Sequence, residues 1–151
     1  MTSSKTYEVL PAAQFGRTVK AYLKTLSKRE DAAAREIFET LTVALSENPR
    51  QMRGQSLAWL EKIEPEPWPG PTLAGDKRGR YSLKGWEFWK AYLHFPYAKG
   101  AARKGRVMYA IDEASRAVHL LMMYTHAEYQ SRPDDGFLEG VMRESGIPPR
   151  Q

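Results

Sequence analysis

The chain contains no cysteine, which excludes a disulfide framework, a thiolate metal site and a cysteine nucleophile. Its three histidines, at 94, 119 and 126, are scattered and make no metal-ligand cluster. No apolar run approaches the roughly 18 residues needed to cross a bilayer, and the opening Met-Thr-Ser-Ser-Lys-Thr has no apolar signal core. Acids are almost missing from one stretch, since residues 77–106 hold only Glu87. These absences lead us to expect a soluble cytoplasmic protein with no membrane partner, no bound metal and no small-molecule cofactor.

What is present fits one domain spanning residues 1–151. A hydrophobic content of 42% and an aromatic content of 11% suffice for a packed core. Charge is distributed unevenly. Residues 1–76 carry ten basic and ten acidic side chains, residues 77–106 carry nine basic against one acidic, and residues 107–151 sum to −3. The whole positive excess therefore falls in one stretch, which is the footprint of a surface facing a polyanion. Five aromatics, Tyr81, Trp86, Trp89, Tyr92 and Tyr97, interleave with those cations and are candidates for stacking on bases.

Periodicity gives the elements. Thr6 to Leu10 alternates, with Tyr7 and Val9 on one face, and reads as a short strand ending at Pro11. From Ala13 the spacing turns helical, with Phe15, Val19, Tyr22, Leu23 and Leu26 on one stripe. A charged bend at 27–31 separates this helix from a second, whose Ala34, Ile37, Phe38, Leu41, Ala44 and Leu45 recur at three and four residues up to Asn48-Pro49. The two predict an antiparallel hairpin. Gln55 to Ile63 reads as a short helix, and prolines at 65, 67, 69 and 71 predict a stiff irregular connector. A turn at 75–79 follows.

The last third is β-rich. Trp86 to Phe95 reads as a strand covered on both faces. Arg106 to Ile111 and Ala117 to Thr125 flank the polar turn Asp112-Glu113-Ala114-Ser115 as a hairpin. A final helix starts at Pro133-Asp134-Asp135, buries Phe137, Leu138, Val141 and Met142, and stops at Gly146, leaving a tail at 146–151.

The stretches Leu83-Lys84-Gly85-Trp86, Lys99-Gly100-Ala101-Ala102-Arg103-Lys104-Gly105-Arg106, Arg106 to Asp112 and Leu120 to His126, in this element order, resemble the RelE/ParE superfamily of toxins from bacterial toxin–antitoxin modules. The Gly- and Lys-rich turn before an Arg-x-x-Tyr strand is most similar to the HigB-type branch. The resemblance spans residues 5–130 and is detailed over 83–129. It departs at the Pro-rich 65–71 and the long loop 96–105. It implies an α+β fold in which an N-terminal strand and an α-helical hairpin pack on a small, mainly antiparallel sheet, with a C-terminal helix.

The resemblance also implies a metal-independent endoribonuclease that cuts mRNA on the ribosome, arrests growth and is held inactive by a small antitoxin protein. Such cleavage uses the ribose 2′-OH as internal nucleophile and needs a proton acceptor, a cation at the phosphate and a donor for the leaving oxygen. Arg106 is the candidate phosphate clamp, because its planar fork suits bidentate contact. His126 is the candidate proton carrier, and Tyr129 would orient the phosphate or stack on a base. Lys84, Lys99, Arg103 and Lys104, with Tyr92, are candidate RNA-binding residues. Glu64 or Glu66 would supply the carboxylate base that some members use. Two other readings stay open on the same scaffold: a ParE-like inhibitor of DNA gyrase that cuts no RNA, and a catalytically inactive binding protein.

Overall fold

The computed structural model describes residues 6–51, 57–69 and 85–147. Strand β1 (Glu8–Pro11) leads into helix α1 (Ala13–Leu23), then α2 (Lys28–Glu47). The charged segment 27–31 is the first turn of α2 and not a bend. Ser27 Oγ accepts from the Glu30 N–H at 3.2 Å, and Glu30 Oε1 accepts from the Ser27 N–H at 2.9 Å. This reciprocal cap starts α2 at Lys28. Because α1 ends at Leu23, the connection runs over residues 24–27, earlier than the sequence predicts, and Leu26 falls outside both helices.

The expected helix at 55–63 is replaced over its second half by an edge strand, β2 (Leu60–Pro65). Leu60 and Ile63, three apart, satisfy helical spacing on paper, yet both pack their half-buried side chains on the sheet core. A register shift between Leu60 and Lys62 lets the strand do this. Pro65 closes β2 at the edge of the sheet, where no further strand needs its missing N–H. The proline run thus begins inside a strand rather than in a connector.

Strands β3 (Trp86–His94), β4 (Lys104–Asp112) and β5 (Ala117–Thr125) form the body of the sheet, with a single 3₁₀ turn (Gly100–Arg103) between β3 and β4. The order is β1-β5-β4-β3-β2, with β1 parallel to β5 and every other pair antiparallel. Helix α3 (Asp135–Glu144) follows, its Asp134 side chain accepting from the Phe137 N–H at 2.8 Å. This is the mainly antiparallel α+β architecture with a helical hairpin and a C-terminal helix that the sequence predicts.

Side-chain alternation divides the core into two layers. Ala91, Leu93, Val107, Tyr109 and Ile111 face α1 and α2, while Phe88, Met108, Ala110, Met122 and Tyr124 face the side where α3 packs with Leu138, Val141 and Met142. Phe137, expected inside, is 40% exposed. At ten residues α3 spans only about 15 Å. It covers one part of its face of the sheet. Beyond it the inward row changes from Met108 and Phe88 to Arg106, Lys90 and Tyr92, which line an open cleft.

Candidate functional site

The cleft has a volume of about 580 Å³. Its floor is built by cross-strand neighbours: Tyr92 of β3 pairs with Arg106 of β4, which pairs with Tyr124 of β5. Two rings with one guanidinium between them therefore sit side by side on one sheet face. Arg106 is 7% exposed, and its guanidinium lies 4.2 Å from the Tyr92 ring centroid. Its Nη1 donates to the Gly105 carbonyl at 2.9 Å. The ammonium groups of Lys62 and Lys90 approach the same ring at 4.6 and 5.0 Å. Three cations converge on one phenol, each attracted by the face of the ring.

Glu66 supplies the counter-charge. Its side chain is 7% exposed, with Lys90 Nζ at 3.1 Å and Arg132 Nη1 at 2.9 Å. Arg132 also donates to the Pro67 carbonyl and to Asp135 Oδ1. Because Glu66 follows β2 and Arg132 precedes α3, this pair ties the two ends of the cleft wall together. Lys90, Arg106 and Arg132 against Glu66 leave the cleft cationic.

His126 lies just past β5, its N–H donating to the Lys104 carbonyl at 3.1 Å, and its ring lines the same cleft as Arg106. Partial burial holds its pKa below the ordinary imidazole value, and the charges of Arg106, Lys104 and Lys90 push it the same way. The ring is therefore biased to the neutral form, an acceptor of protons near pH 7. Tyr124 is pushed up to about 12, chiefly by burial, and keeps its phenolic proton.

The other sequence candidates divide. Tyr92 is in the cleft, but its hydroxyl donates to Glu64 Oε1 at 2.5 Å, and its ring is covered by cations instead of being free to stack. Tyr129 sits beyond the cleft wall, 36% exposed, edge-on to Tyr124 at 5.7 Å. Lys104 is exposed beside His126. Arg103 instead donates from Nε to His94 Nε2 at 2.6 Å, and Lys99 is exposed ahead of the 3₁₀ turn. Lys84 lies outside the described residues, as do Lys77, Arg78, Arg80, Tyr81 and the expected turn at 75–79.

Of the two carboxylates, Glu66 lines the cleft. Glu64 bonds Tyr92 and lies 3.4 Å from Lys62, and the Tyr92 hydroxyl holds its pKa down. The interleaved aromatics are mostly structural. Trp89 packs on the helical side and donates to Glu87, Tyr97 shares a 2.7 Å hydrogen bond with Tyr22, and Trp86 lies 5.4 Å from the His119 ring. His119 is held below its ordinary pKa by burial and serves packing.

Sequence reasoning missed Arg132 and did not single out Lys90. Arg132 stands in an ordinary polar segment and Lys90 in an aromatic-rich strand, and only the tertiary pairing with Glu66 marks them. A second groove of about 590 Å³ runs along α1, with an apolar floor of Phe15, Val19 and Leu23 and a rim where Asp31 is already paired with Arg35. Among the described residues no three of His, Asp and Glu gather as metal ligands, and no helix is long and apolar enough to cross a membrane.

No family model matches the chain, and no curated protein matches it. Among solved structures, the archaeal RelE–RelB complex from Pyrococcus horikoshii OT3 contains a similar chain. It is 13% identical, with 80% of this chain and 94% of that chain covered and a TM-score of 0.42.

Proposed function

We propose that this protein is an endoribonuclease that cuts mRNA on the ribosome without a metal, and that it is the toxin of a toxin–antitoxin module. The observation that carries the reading is the shared cleft, in which a buried arginine and a neutral-biased imidazole stand beside two further cations. The resemblance of residues 83–129 to RelE-like toxins adds to it. A cationic floor suits a phosphate, and an adjacent proton acceptor suits a ribose hydroxyl.

The proposed step balances with groups in the cleft. His126 takes the proton of the 2′-OH as the 2′ oxygen bonds to phosphorus. Arg106 holds the nonbridging oxygens as negative charge gathers on them. The bond from phosphorus to the 5′ oxygen breaks, and the Lys90 ammonium protonates the leaving oxygen. The products are a 2′,3′-cyclic phosphate and a 5′-hydroxyl. Glu66 positions Lys90 and Arg132 by bonding both, which leaves the carboxylate engaged and the imidazole as the base. Tyr129, beyond the cleft wall and edge-on to Tyr124, stacks on a base of the chain leaving the cleft. Lys104 and the exposed cations of the loop attract the RNA backbone.

On this reading a small antitoxin with an acidic segment covers the cationic cleft until it is removed. The test is cleavage of ribosome-bound mRNA by the purified protein, at the magnesium concentration that keeps ribosomes intact. The expected outcome is cutting that leaves 2′,3′-cyclic phosphate and 5′-hydroxyl ends and stops when the cut nucleotide is 2′-deoxy. Intact RNA together with blocked supercoiling in a gyrase assay would replace this reading with the gyrase-inhibitor one.

A further inference from the structure

The short segment 129–131 has both ends fixed and its middle free. At its start, the Tyr129 N–H donates to the Thr125 carbonyl at 3.1 Å, and Thr125 Oγ1 accepts from the Ala127 N–H at 3.3 Å. At its end, Arg132 is anchored by Glu66 and Asp135. Between these anchors Gln130 and Ser131 line the cleft, exposed, with no side-chain hydrogen bond among the described residues. A pinned backbone thus presents an unengaged amide beside a cationic floor and next to an exposed aromatic ring.

We infer that Gln130 reads the edge of the nucleobase beside the scissile phosphate, which makes it a specificity-determining residue of the cleft; this rests on the nuclease reading. A side-chain amide offers a donor pair and an acceptor, the complement that discriminates one base edge from another. Unstacked RNA bases expose their Watson–Crick and Hoogsteen edges for such contact. With the phosphate at Arg106 and a base against Tyr129, the edge of that base faces residue 130. Ser131, with one hydroxyl, adds a less selective contact.

The test uses short RNAs carrying a central 2′-deoxynucleotide, which cannot be cut there, followed by A, C, G or U. Their affinities for the wild-type protein, Gln130→Ala and Gln130→Glu are read by fluorescence anisotropy, with circular dichroism to show that each variant is folded. The wild type is expected to spread the four over about fivefold or more, the scale of one good amide–base contact. Gln130→Ala should compress that spread. Gln130→Glu, which keeps only acceptors, should shift preference toward bases that present donors, guanine with its N1–H and N2 amino first and adenine and cytosine next, and away from uracil. Equal affinities in the wild type, or the same spread in all three proteins, overturn the inference. Mapping cut sites in cells separates the two readings. Cutting without discrimination dependent on residue 130 sinks this inference alone, whereas RNA left whole in cells while the affinities still depend on Gln130 sinks the nuclease reading and leaves Gln130 reading a base in a cleft that does not cut.

Discussion

The Arg106 guanidinium stands 4.2 Å from the centre of the Tyr92 ring, and the two residues are paired across adjacent strands. The ring fixes where the charge points, and the Gly105 carbonyl takes one of its donors. The remaining donors are left to face the cleft. Tyr92→Leu should therefore lower RNA cleavage by roughly tenfold, the scale of a misplaced charge contact. Tyr92→Phe, which keeps the ring and loses only the bond to Glu64, should lose much less. Single-turnover rates on ribosome-bound mRNA would read the difference.

His126 gives a pH signature. Its folded-state pKa is held below the ordinary 6.5 by burial first and by Arg106, Lys104 and Lys90 next. A base works unprotonated, so cleavage should be flat near neutrality and fall only as the pH drops through that lowered value. Removing Arg106 removes one source of repulsion. In Arg106→Ala the imidazole midpoint, followed by NMR of the ring protons, should move up toward 6.5. An unmoved midpoint would place the two side chains out of electrostatic reach.

Gly105, the residue before Arg106, faces the Phe95 ring. A Cβ there would collide with that ring, which is wholly buried and stacked with Tyr22 at 5.1 Å and Tyr97 at 5.6 Å. Phe95 has no free direction in which to yield. Gly105→Ala should cost about 1–3 kcal/mol by overpacking, seen as a lower urea midpoint with an unchanged m-value.

At the other end of the sheet, Arg50 holds three elements together. It donates to both Glu87 oxygens (2.6–3.1 Å), to Glu113 at 2.9 Å and to the Tyr7 hydroxyl at 2.8 Å. Arg50→Met leaves two carboxylates without their shared cation and should destabilise the fold by roughly 2 kcal/mol. The Tyr7 hydroxyl and then Arg50 hold the Glu113 pKa at about 2, below its ordinary 4.5. Stability from this site is present above 4.5 and lost as the pH falls toward 2. The acid dependence of Tm across that window should be shallower in Arg50→Met.

Most of the fold was legible because its elements repeat strongly. The α2 stripe from Ala34 to Leu45 and the paired runs of β4 and β5 carry clear periods, and Asp134 and Gly146 mark the ends of α3. The strand β2 was not legible. Its six residues show two half-buried apolar side chains at helical spacing and end in proline, so nothing local separates an edge strand from a helix. The Ser27 cap was visible as Ser-x-x-Glu but lay inside a charged run that resembled a bend.

The site was half legible. Arg106 and His126 could be named from their chemistry and from the resemblance to RelE-like toxins, and the antiparallel pairing of β4 with β5 puts both at the open end of one hairpin. The Glu66–Arg132 pair could not, because its partners are 66 residues apart and meet only when α3 returns across the sheet. Charge counting placed the cations in one stretch, yet only Lys90 and Arg106 of the five in described positions line the cleft. A local balance of charge does not tell which strand face a lysine takes.

The most direct measurement is the chemistry of RNA ends in cells expressing the wild type, Arg106→Ala or His126→Ala, each shown to be folded. The account predicts new 2′,3′-cyclic phosphate and 5′-hydroxyl ends within coding sequences for the wild type, and their loss in both variants. Equal numbers of those ends from all three proteins, or none from the wild type, would contradict it.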